Sequence, residues 1–131
     1  SEMCIRDRIH IDIQQFVSKY PVIKDMVARL TKELLFDVKM EMPDVTLFDE
    51  TDLVRTSKDI FSQKREKFIF IIDEWDSIFR VHRDNATAPK EYLDFLRDLL
   101  KGQPYVALAY MTGILPIKKY GQHSALNMFK E

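Results

Sequence analysis

Glycine, cysteine and net charge are what this sequence has least of, and each shortage removes a class of explanation. The glycines are Gly102, Gly113 and Gly121, and none opens a glycine-rich, phosphate-cradling turn followed by Lys and Ser or Thr. The single cysteine, Cys4, rules out an internal disulfide framework and a cysteine-rich zinc site. His10, His82 and His123 are scattered, without the close spacing of zinc ligands. Lys+Arg 20 against Asp+Glu 21 leaves a net charge of −1, which sets up no long-range field to draw nucleic acid or an anionic membrane. No apolar run approaches the roughly eighteen residues that cross a bilayer. A soluble, cytoplasmic protein with no membrane partner is the expectation.

What is present is a chain of 131 residues, 46% hydrophobic and 31% charged, the composition of one globular domain or a piece of one. Its most informative stretch is Phe68-Ile69-Phe70-Ile71-Ile72-Asp73-Glu74-Trp75-Asp76. Five consecutive aromatic or β-branched residues predict a strand buried on both faces, because a half-exposed strand alternates apolar with polar. Three carboxylates follow within four positions. Ligands of open α/β sheets gather outside the carboxyl ends of the strands, and an acid there suits Mg²⁺, a hard ion that prefers oxygen and keeps much of its water. This is the arrangement of a Walker B segment, with Asp73 associated with Mg²⁺ and Glu74 polarising an attacking water. Buried strands also end at Asp where a turn follows and the carboxylate caps the next helix. The stretch alone leaves both readings open.

Ile9, Ile11 and Ile13 alternate with His10 and Asp12 and predict a strand ending near Ile13 or Gln14. Pro21 is placed to open a helix, with Ser18 as its cap. Ile23, Met26, Val27, Leu30, Leu34 and Val38 give that helix an apolar stripe opposite a solvated charged face. Met40 to Val45 reads as a linker, and a second helix is expected from about Asp49 to Gln63. Lys64 to Lys67 is a charged turn into the central strand. Ser77 to Arg80 leads into a loop through His82, Asp84 and Asn85. Pro89 starts a third helix that Gly102 stops, and Tyr105 to Met111 is another nearly all-apolar strand, ending at Thr112. Strand and helix alternate, so the predicted fold is α/β, with a parallel three-stranded sheet and helical crossovers. Ile117 to His123 is a basic, aromatic loop read as a solvated turn. Ser124 beside His123 lacks the strand-to-helix elbow of a hydrolase nucleophile.

The strings Phe68 to Asp76, Tyr110-Met-Thr-Gly-Ile-Leu-Pro-Ile-Lys-Lys-Tyr-Gly121 and Ser124-Ala-Leu-Asn127 resemble the AAA-ATPase-like family of bacterial proteins. Ile9 to Ile13 fits that family's second strand. Members commonly carry a PD-(D/E)XK nuclease-like domain after the ATPase; here it would lie beyond Glu131. The resemblance makes Asp73 the Mg²⁺-associated acid, Glu74 the water-orienting residue and Thr112 a sensor-type residue at the γ-phosphate or the attacking water. The plainer alternative for Thr112 is a hydroxyl bonding its own turn. Asp76 matches a family acid that holds Arg80 or caps the following helix, and Trp75 is read as packing.

The departure from the family is the missing P-loop, which members carry on the strand before the one matching Ile9 to Ile13. Ser1 to Arg8 resembles translated sequencing-adaptor read-through, so residues 1–8 are expected to be non-native. Residues 9–131 are then a partial domain, truncated at both ends. The parent would bind and hydrolyse ATP with Mg²⁺ and reach nucleic acid through its nuclease-like domain. The fragment would bind neither cofactor tightly. Its three strands would stay neighbours, with one edge of the sensor strand exposed. A non-catalytic scaffold domain and a metal-dependent nuclease built on Asp73, Glu74 and Asp76 are the alternatives.

Overall fold

The computed structural model describes residues 8–82 and 87–114. Along them the chain runs β1 (Arg8–Asp12), α1 (Ile13–Lys19), α2 (Ile23–Glu41), α3 (Leu53–Lys64), β2 (Phe68–Asp73), α4 (Ser77–Val81), α5 (Thr87–Leu100) and β3 (Val106–Met111). Residues 1–7, the Ile117 to His123 loop and the Ser124 to Asn127 string lie outside the described residues. None of the described helices is long and apolar enough to cross a membrane.

The strands form one parallel sheet in the order β1-β2-β3, with Asp12 opposite Asp73 and Ile72 opposite Met111. Both crossovers step the same way along the sheet, and right-handed connections that do so bring their helices to the same face. The packing agrees. α1 touches α2 and α4, and α5 touches α2, α3 and α4, a continuous helical layer. The strand residues beneath it, Ile9, Ile11, Phe68, Phe70 and Ile72, are buried. Around them close Met26, Leu30, Tyr92, Leu96, Leu99 and Tyr105, the last donating its hydroxyl to the Leu99 carbonyl at 2.5 Å.

The expectation of strands buried on both faces is therefore corrected. Ile69 and Ile71 are half-buried, and on β3 Leu108 and Tyr110 are 46% and 58% exposed. The reason is topological: two like-handed steps stack their helices on one side, and no described helix covers the other.

Local capping moves several boundaries. β1 stops at Asp12 because its carboxylate accepts from the Gln14 amide at 3.1 Å and caps α1, a helix the alternating pattern concealed. Ser18 does not cap α2; it bonds back to the Gln14 carbonyl inside α1. α2 opens at Ile23 without a side-chain cap and runs through Met40 and Glu41 of the expected linker. α3 begins at Leu53, capped by Asp52, while Asp49 makes a separate turn with Thr51. Ser77 to Val81 is a short helix rather than the start of a loop, and α5 starts at Thr87, two residues before Pro89.

Candidate functional site at the carboxyl edge of the sheet

The three strands deliver Asp12, Asp73 and Thr112 to the same edge. Asp12 is engaged in capping α1. Asp73 is held on both sides: Oδ2 lies 2.5 Å from His10 Nε2, and Oδ1 accepts from the Thr112 hydroxyl at 3.0 Å. The His10 hydrogen bond, helped by that from Thr112, outweighs desolvation and holds the Asp73 carboxyl below the usual carboxylate range.

Thr112 is fixed by four bonds to the end of β2 and the turn after it. Its amide donates to the Ile72 carbonyl at 3.1 Å and its carbonyl accepts from the Trp75 amide at 2.9 Å. Its hydroxyl donates to Asp73 and accepts from the Glu74 amide at 3.3 Å. The hydroxyl thus serves the neighbouring strand's turn, not its own.

That amide reaches Thr112 because Glu74 sits at φ 55°, a left-handed conformation that costs a non-glycine residue roughly 1 kcal/mol or more. The Glu74 carboxylate turns toward Arg80, whose Nη2 lies 3.0 Å from Oε1. The other guanidinium nitrogen stands 3.2 Å from Asp76 Oδ1. Asp76 is fully buried, and its Oδ2 accepts from the Ile114 amide at 2.7 Å. Asp76 holds Arg80, as the resemblance implied, and makes no side-chain cap on α4.

Gly113 joins Thr112 to Ile114, and its lack of a side chain is structural. A Cβ there would stand 2.6 Å from Asp76 Oδ1 and 2.8 Å from Trp75 Cδ1. Trp75 is core packing, edge-on to Phe79 with ring centroids 5.5 Å apart, and its carbonyl accepts from the buried Tyr92 hydroxyl at 2.6 Å. Burial, and secondarily the Asp76 charge, push the Tyr92 hydroxyl well above its ordinary pKa.

The structure brings Asp73, Glu74 and Thr112 together and sends their neighbouring acid Asp76 inward. Asp73 is held by His10 and Thr112, whereas Glu74 and Asp76 share Arg80, a division that weighs against a two-metal nuclease centre. Among the described residues no group of three or more His, Cys, Asp or Glu is disposed to hold a metal ion. A cleft of about 270 Å³ opens beside the site, lined by His10, Asp12, Gln15 and Glu33 among others. A cleft of about 550 Å³ at the amino edge, lined by Asp52, Arg97, Lys101 and Gln103 among others, is far from this chemistry.

His10 and the bond from Arg80 to Glu74 escaped sequence reasoning. His10 was legible only as the polar member of an alternating strand; the parallel register puts it within reach of Asp73. Arg80 carried a signal, four residues after Asp76, but its bond to Glu74 depends on the left-handed turn. No family model, curated protein or solved structure matches this chain.

Proposed function

We propose that this chain is the later part of a P-loop-type ATPase core, carrying the Walker B strand and the sensor strand. A phosphate-cradling strand and its helix would complete the sheet in the intact protein. One observation carries the reading: the Thr112 hydroxyl joins Asp73 to the Glu74 amide on the edge where α/β sheets bind their ligands.

The open face of the sheet supports it independently. All-parallel sheets occur almost only with both faces covered, and the β3 sequence Val-Ala-Leu-Ala-Tyr-Met has no charge to discourage pairing along its edge. A strand added beyond β3 in the same direction would bring its helix to the face already covered. A strand beyond β3 that precedes β1 reverses the direction, and the right-handed rule sends its helix across the open face. Such a reversal makes a topological switch point whose crevice opens beside Thr112 and Asp73.

An all-oxygen pair, the Asp73 carboxylate with the Thr112 hydroxyl beside it, suits Mg²⁺, which takes few protein ligands; Asp73 would hold it. Held there, the ion would supply neutralisation of the charge that develops on the reacting phosphates. Glu74, released from Arg80, would orient the attacking water and accept its proton. Thr112, once its hydroxyl proton is released from Asp73, would donate it to a γ-phosphate oxygen. The reading also puts the protein in the cytoplasm, with an attached nuclease-like module as its route to nucleic acid.

The test is the reading frame upstream of Ile9. An in-frame glycine-rich loop ending in Lys-Ser or Lys-Thr supports the ATPase; its absence from the natural gene overturns it. In a version carrying that loop, Glu74→Gln should slow hydrolysis severely while leaving nucleotide binding largely intact. Unchanged turnover would remove Glu74 from the mechanism.

One observation favours a second reading, a non-catalytic scaffold domain. Asp73 and Glu74 are each satisfied by the chain's own residues, so the edge is complete without a ligand. Full upstream sequence with a native start near Ile9 and no phosphate loop would select it.

A further inference from the structure

Asp73 is engaged on both sides by donors of different character. Thr112 is neutral and faces Oδ1, whereas His10 brings an imidazole nitrogen to Oδ2 at 2.5 Å. His10 is 43% and Asp73 36% exposed at the side chain, so a dissolved cation can reach the pair. A cation approaching Oδ2 meets the positive end of the imidazole N–H, and two positive groups compete for one oxygen. The ring has somewhere to go, because His10 also lines the cleft of about 270 Å³ beside α1 and α2.

We infer that His10 is an internal competitor for the cation position on Asp73: it closes Oδ2 in the metal-free chain and must swing away before a divalent ion binds. This rests on the reading of Asp73 as the cation-holding acid, and it adds the way that site is kept shut. The opposite role is chemically reasonable and gives the opposite sign. A neighbour that orients a ligating carboxylate raises metal affinity, and its removal costs about ten- to a hundredfold. A competitor's removal tightens binding. Because the pair is partly exposed, the gain should be about three- to tenfold, below the full strength of a buried charged hydrogen bond.

The experiment uses the 131-residue chain and MnCl₂ alone as the probe, with paramagnetic broadening of backbone amides locating the ion and giving its affinity. His10→Ala should tighten Mn²⁺ binding near Asp73 by that factor, and Asp73→Asn should abolish the local broadening in either background. In the wild-type chain titrated with MgCl₂, the His10 ring resonances should shift at the same concentration as the Asp73 amide. That readout needs no variant to fold. Equal or weaker Mn²⁺ binding in His10→Ala, with the ion still at Asp73, overturns the competitor and leaves the cation-holding acid standing. A His10 ring that does not respond while Asp73 does has the same meaning. Absence of any ion at Asp73 in both proteins overturns the competitor together with the assignment it rests on.

Discussion

Substituting Gly113 by Ala adds one methyl group where the chain turns from Thr112 to Ile114, and the structure sets its cost. The new Cβ would stand 2.6 Å from Asp76 Oδ1 and 2.8 Å from both Asp76 Cγ and Trp75 Cδ1. Neither neighbour yields easily, because Asp76 is pinned between Arg80 and the Ile114 amide, and Trp75 is wedged against Phe79. Overpacking of this kind costs about 1–3 kcal/mol. If Asp76 moves, its hydrogen bond to the Ile114 amide weakens, and a bond to a charged acceptor is worth about 1.5–3 kcal/mol. Taking part of each gives about 3 kcal/mol. With a urea slope of about 1.5 kcal/mol per molar, the unfolding midpoint should fall by about 2 M. Gly102→Ala is the control. Its Cβ would meet nothing within 4 Å, but its φ of +68° makes the cost conformational, about 1 kcal/mol. Asp76→Ala should make the two changes non-additive, since shortening the acid removes the clash while breaking its own bonds. A Gly113→Ala midpoint no lower than that of Gly102→Ala would refute the close packing at this turn.

Ile72→Ala, beneath the helical layer, should cost about 2–5 kcal/mol and Ile71→Ala, on the open face, less than half as much; equal losses in urea melts would contradict one-sided burial. Leu108→Lys with Tyr110→Lys should leave stability within about 0.5 kcal/mol while reducing self-association in sedimentation velocity, because charge on an edge strand discourages pairing. Sedimentation unaffected by the two lysines would mean that β3 is not the associating edge. Burial alone would raise the Asp59 carboxyl, but hydrogen bonds from the Phe48 amide and Arg55 outweigh it and hold it below its ordinary value. A depressed folded pKa contributes stability above the unfolded value, near 4, that is lost as pH falls through the folded one. Asp59→Asn should therefore lower stability at pH 7 and converge on the wild type in strong acid; a constant gap down to pH 2 would assign the loss to packing.

The strands β2 and β3, the long amphipathic α2 and the parallel connection between strands were legible because each rests on a run or a period. Asp73, Glu74 and Thr112 were legible as a group because strand ends in a parallel sheet share an edge. What the chain did not disclose depends on pairs distant in sequence. The bond from His10 to Asp73 spans 63 residues and that from Ile114 to Asp76 spans 38, and neither leaves a local pattern. α1 was hidden because Ile13 continues the alternation of β1, and only the Asp12 side chain diverts the backbone into a helix. The bare face was misread for another reason. Ile69, Ile71, Leu108 and Tyr110 are as apolar as their buried neighbours, so composition alone cannot tell a covered face from an uncovered one.

The four bonds at Thr112 also give β3 a mechanical polarity. Its carboxyl end is riveted to β2 and the Glu74-Trp75 turn through main chain and side chain alike. Its amino end meets β2 across an irregularity in register at Phe68/Ile69. The amino end is held by different means, through buried Tyr105, whose carbonyl accepts from the Phe68 amide at 2.7 Å and whose hydroxyl donates to the Leu99 carbonyl. Asp73, Glu74 and Thr112 are thereby joined to one another by bonds that do not involve the outer edge of β3, so a change at that edge reaches them only through the strand itself.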